Sequence, residues 1–101
     1  MEPEDEVIEN YNQNRRELEA AEDEINRVKI AGDQLIDETV ARLRNELQFT
    51  DDDGEIYSYV SSKARQLHDD FMQKIAIEQS DIRRREESNE MNYRLKISQF
   101  K

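Results

Sequence analysis

Apolar side chains recur along the first half of the chain at Val7, Tyr11, Leu18, Ala21, Ile25, Val28 and Leu35. Asn14 and Gly32 fill the two weak positions of the same series. The steps alternate between four and three residues, the spacing of a helix that packs one stripe against a partner helix. After Leu35 the phase slips by one residue, and Ile36, Val40, Leu43 and Leu47 carry the stripe onward. Pro3 suits a first helical turn, and Glu4, Asp5 and Glu6 favour the positive end of the helix dipole. The pattern predicts a first helix over about 4–48.

Turn residues cluster once, at Phe49-Thr50-Asp51-Asp52-Asp53-Gly54. Thr50 followed three residues later by Asp53 has the form of a capping box. Alternatively, Asp53-Gly54 makes the turn and Asp53 caps a helix that begins at Glu55. Either way a break falls within about 49–54, and a second arm of about 55–98 follows.

The second arm repeats every eleven residues. Val60, Phe71, Ile82 and Tyr93 form one row, and Ala64, Ile75, Glu86 and Ile97 a second. Leu67 and Phe100 belong to a third row, with Glu78 and Asn89 between them. A period of eleven suits an almost straight helix. Past Ile82 the stripe thins through the polar run 83–90, where fraying or partner-dependent folding is expected. The fold class that follows is all-α: one domain over 1–101, a long antiparallel two-helix hairpin resembling a coiled coil. Its expected seam comprises Leu18, Ile25, Val28, Leu35, Leu43 and Leu47 against Val60, Leu67, Phe71 and Ile75, closed by a turn at Thr50, Asp53 and Gly54.

Charge supports folding the arms together. Residues 1–54 carry 17 acidic and 6 basic side chains, net −11, whereas 55–101 carry 8 and 9, net +1. With the turn near residue 52, antiparallel neighbours have numbers that add to about 104. Arg83, Arg84 and Arg85 are then expected to face Glu17, Glu19 and Glu22, and Arg94 and Lys96 to face Glu6 and Glu9. Such pairs fix register more than they stabilise, at roughly 0–1 kcal/mol each.

A lone hairpin buries each stripe on one side only. Ile30, Ile36, Val40, Met72 and Ile77 lie beside the seam and are the candidate partner-binding residues, the partner being another helical protein or a second copy. The overall charge of −10 opposes nucleic acid and anionic membranes, which attract basic surfaces. No stretch approaches the roughly 18 apolar residues of a bilayer span. The acidic start is no signal peptide, so the chain is expected in the cytoplasm, or exported without a cleaved signal.

No catalytic, cofactor or metal site is expected. His68 is the only histidine, and one imidazole supplies too few ligands. Asp51-Asp52-Asp53-Gly54 lacks the ligand spacing and the closing glutamate of a calcium loop. Arg83-Arg84-Arg85 runs straight into Glu86, Glu87 and Glu90 and reads as a salt-bridged surface.

Two nearly equal helical arms, a central turn, an acidic balance and no cysteine resemble the WXG-type (ESAT-like) proteins of type VII secretion. The closer likeness is to the small helical accessory proteins encoded beside LXG-domain toxins in Gram-positive bacteria. That resemblance implies pairing with the helical N-terminal domain of a toxin, or with a paralogous small helical protein, and chaperone-like delivery to an export channel. The chain departs from the pattern in having no tryptophan: Asp52-Asp53-Gly54 stands where a Trp-x-Gly turn would be. Near the C-terminus Tyr93 is followed four positions on by Ile97, not by an acid, and the Phe49-to-Asp53 spacing lies at the turn. The alternative function is a homodimeric scaffold built as a four-helix bundle.

Overall fold

The computed structural model describes residues 3–48, 50 and 54–101. It is an all-α helical hairpin: helix α1 spans Glu4–Leu47, helix α2 spans Glu55–Ile97, and a single 3-10 turn covers Ser98–Phe100. Pro3 accepts the amides of Glu6 and Val7 at 3.1 Å each, so the helix starts on the residue whose missing N–H costs nothing there. At the other end of α1 the Thr50 amide bonds the Leu47 carbonyl at 3.1 Å. Gly54 has φ of 71°, a conformation open to glycine, and its carbonyl accepts the Ser58 amide at 2.9 Å, opening α2. Asp53, like Phe49, Asp51 and Asp52, lies outside the described residues.

Contacts divide the chain into two compact units. The first joins Met1–Ile25 to Ile77–Lys101, and the second is Asn26–Ala76, which holds the turn. In the first unit Val7 and Ile82 are buried, with Leu18, Ala21, Ile25, Tyr93 and Ile97 half-buried. The phenol of Tyr11 stacks on that of Tyr93, ring centres 4.2 Å apart. Asn14 donates to the Asn89 side chain at 3.2 Å, which explains a polar residue at that point of the stripe. Helix α2 runs through 83–90, the stretch for which the sequence pattern predicts fraying or partner-dependent folding, and these contacts lie in and beside it.

In the second unit Ile75 is buried, and Ile36, Val40, Leu43, Leu47, Val60, Ala64, Phe71 and Met72 are half-buried. The Phe71 ring lies on Gly32, where any Cβ would overlap it. The weak glycine of the stripe is therefore a seat for an aromatic ring.

Three expected seam residues are not in the seam. Val28, Leu35 and Leu67 are 41%, 64% and 63% exposed. Lys29 and Ile36 take the inward positions beside Val28 and Leu35, and His68 takes that beside Leu67. The reason is periodicity. Read with the exposure pattern, α1 follows eleven residues as α2 does: Val7, Leu18, Lys29 and Val40 form one row, and Ile25, Ile36 and Leu47 another. A nearly straight helix drifts about 20° per heptad away from a 3.5-residue seam, so a stripe extrapolated through Val28 to Leu35 has rotated off its partner.

Candidate partner-binding surface

Each unit has a polar row running beside its apolar contact, and these rows too are spaced by eleven. On α2 the row is Tyr57, His68, Gln79 and Glu90, all half-buried. In the first unit the Tyr11 hydroxyl donates to Glu90 Oε2 at 2.6 Å. In the second, His68 Nε2 and Asp33 Oδ1 share a hydrogen bond at 2.5 Å, and Arg44 donates to the Tyr57 hydroxyl from Nε at 3.1 Å and Nη2 at 2.7 Å. In all three rungs the residue numbers add to 101, three less than the expected register. His68 is thus a structural cross-link between the helices. Its second ring nitrogen lies 3.9 Å from Asp69.

The expected cross-helix ion pairs at the arginine run do not form. Arg84 and Arg85 reach back along α2 to Asp81, at 3.8 and 3.0 Å. The residue of α2 that meets Glu22 is Glu86. Burial comes first, and the charge and hydrogen bond of Glu22 next, in raising the Glu86 carboxyl above its ordinary value; Glu19 adds to this and Arg83 opposes it. The charge tally placed the right stretches beside each other but not the rotation of each helix.

Tyr11 is likewise raised, chiefly by its bond to Glu90. Tyr57 is lowered, first by the Ser61 hydroxyl beside it and then by Arg44. No three His, Asp or Glu side chains converge as metal ligands among the described residues. No helix among them is long and apolar enough to cross a membrane.

Four of the five candidate partner-binding residues lie in the second unit and Ile77 in the first. Ile36 and Val40 line a groove of about 310 Å³ in the second unit, together with Ala64, Asp37, Arg44, Tyr57, Ser61, Arg65 and His68. Met72 is half-buried, and Ile30 is 58% exposed outside that groove. In the first unit Ile77 is 65% exposed. The sequence reading missed the polar rim of the groove, because its members are ordinary surface residues until the register brings them together. The eleven-residue spacing of Tyr57, His68, Gln79 and Glu90 is the signal that could have found it.

In the second unit, exposed Val28, Leu35 and Leu67 fall on the flank opposite the polar row, whereas exposed Ile30, one residue past Lys29, stands on the same flank as Asp33 and Arg44. Asp33 and Arg44 follow inward positions by one residue, whereas Val28 and Leu35 precede them by one, about 100° the other way. On α2, Leu67 precedes His68 in the same sense. Exposed Val28, Leu35 and Leu67 therefore stand on the flank away from the groove.

Compared with protein-family models, with curated proteins and with solved structures, the chain matches none.

Proposed function

We propose that the chain is a non-catalytic pairing module whose two helices complete a bundle with a second helical protein. In this reading the partner is the helical N-terminal domain of a toxin or effector bound for type VII secretion, or a paralogous small helical protein. The module acts as its accessory or chaperone-like targeting partner.

The observation that carries the pairing is the thinness of the chain's own core. Only Val7, Ile75 and Ile82 are buried among the described apolar residues, while Ile30, Leu35, Tyr59, Leu67, Ile77, Met91 and Leu95 are each well over half exposed. A helix stripe gains its stability from burial, and a second helical protein would supply the burial that these exposed side chains lack. The secretion assignment rests on the resemblance of architecture alone: two arms, a central turn and an acidic balance.

The test is light scattering on a sizing column, with circular dichroism of the same sample. The purified chain is expected to be a marginally stable monomer with a low melting temperature, and to become a discrete, strongly helical complex when co-expressed with its partner. A stable, highly helical species at twice the 12.1 kDa chain mass would instead establish the homodimeric scaffold. In that case its melting midpoint must rise with its own concentration.

A further inference from the structure

In a chain of net charge −10, the groove of the second unit is a local exception. Its floor is Ile36, Val40 and Ala64, and Arg44 and Arg65 stand on its rim. Other arginines with described contacts answer a carboxylate: Arg15 meets Glu19, and Arg84 and Arg85 share Asp81. The two groove arginines do not. Arg44 spends its donors on the neutral hydroxyl of Tyr57, over whose ring its guanidinium lies at 5.4 Å. Arg65 bears on the same phenol through its charge. Among the described residues no carboxylate stands within ion-pair distance of either guanidinium.

A guanidinium is a planar fork that matches a carboxylate, and it is the cation best suited to partial desolvation at an interface. Two such forks with no carboxylate at ion-pair distance among the described residues, over a floor of aliphatic side chains, are complementary to an amphipathic helix with acidic residues beside its apolar stripe. We propose that this groove seats an acidic helix of the partner. An apolar side chain of that helix rests on Ile36, Val40 and Ala64, and a carboxylate one turn along is taken by Arg44 and Arg65. Asp37, which also lines the groove, repels a second acid and so fixes which end of the stripe carries the charge. The inference rests on the pairing-module reading and adds to it the chemistry of the contacting helix. A second copy of this chain is the less favoured occupant, because two molecules of charge −10 repel.

The experiment pans a phage-displayed library of helical peptides on the full chain. The enriched peptides are then measured against the Arg44→Glu, Arg65→Glu double variant. Expected are peptides with Glu or Asp beside a Leu, Ile or Phe stripe, which shift the backbone amide resonances of Ile36, Val40 and Ala64. These should lose affinity about tenfold or more on the double variant and recover it when their acids are replaced by Lys. If that variant is less helical by circular dichroism, Arg44→Gln with Arg65→Gln tests the loss alone: the acidic peptides should bind it more weakly than the native chain. Enrichment of non-acidic peptides, equal binding to the variants, or no enrichment overturns the proposal. Shifts centred on Leu35 and Leu67 also overturn it, but leave the pairing module standing. If the chain alone forms a stable dimer that the double variant dissolves, the groove belongs to a second copy and the partner helix is wrong.

Discussion

Glu86 is the residue that most directly ties sequence to solution behaviour. Its carboxyl is raised by burial and by Glu22 opposite, so the folded chain takes up this proton more readily than the unfolded chain does. In the window between the ordinary glutamate value and the raised one, the native state therefore binds more protons, and stability falls as pH rises through it. At neutral pH the charged pair is a penalty. Glu86→Gln is expected to stabilise the chain at pH 7 by roughly 0.2–1 kcal/mol, the range for part-exposed charge pairs, and to flatten the acid side of its melting curve. Thermal melts of both proteins between pH 4 and 7 test this; identical slopes would refute it. At Gly32 two effects oppose. Alanine gains about 1 kcal/mol of helix propensity, but its Cβ displaces the Phe71 ring. Gly32→Ala is therefore expected to gain less in the native background than in a Phe71→Ala background. A double-mutant cycle by denaturant unfolding measures that coupling, which is absent if the ring is not seated there.

At the scale of the elements, the pattern of the chain sufficed for two helices, their starts within a residue at α1 and α2, and a break between Leu47 and Glu55. Their antiparallel direction was legible from the turn and the charge tally. Rotation was not. Five successive heptad steps through Ile25 look decisive on paper, yet a straight helix drifts out of that phase within a few turns, leaving Val28 and Leu35 outside. Leu67 failed for a related reason: its row contained Glu78, and His68 one position later fitted the inward side better because Asp33 awaited it. The groove was half legible, through Ile36 and Val40, since aliphatic spacing is visible in sequence while cross-helix polar pairs need the register. Leu67→Asp is accordingly expected to change the helicity and melting temperature of the isolated chain little. Ile75→Asp or Ile82→Asp places a charge among buried side chains and should cost several kcal/mol, enough to abolish a cooperative melt. Comparable losses for Leu67→Asp would restore it to the seam.

For the whole molecule the governing quantity is charge. Of the acidic side chains, 17 precede residue 55 against 6 basic ones, so the compact state carries its own repulsion. Salt shortens the reach of that repulsion, from about 30 Å at 0.01 M to about 8 Å near 0.15 M. The isolated chain is expected to melt at a higher temperature as sodium chloride rises through that range. A flat or falling trend would mean that attractive pairs outweigh the excess acid. Binding to an acidic helix at Arg44 and Arg65 should move the other way and weaken with salt, which separates folding from docking in one titration.

The rungs at Tyr11, Asp33 and Arg44 are separated by multiples of eleven residues along one arm and meet residues at the same separations along the other. Length is thereby a stepped variable in this architecture. Removing residues 12–22 together with 79–89 takes one whole repeat from each arm and returns every remaining side chain to its own flank, about 20° from where it began. Taking eleven from one arm alone leaves the helices individually sound but slides every rung past its mate. Such a hairpin can lengthen or shorten only by matched pairs of repeats, and insertions of other sizes belong at the turn.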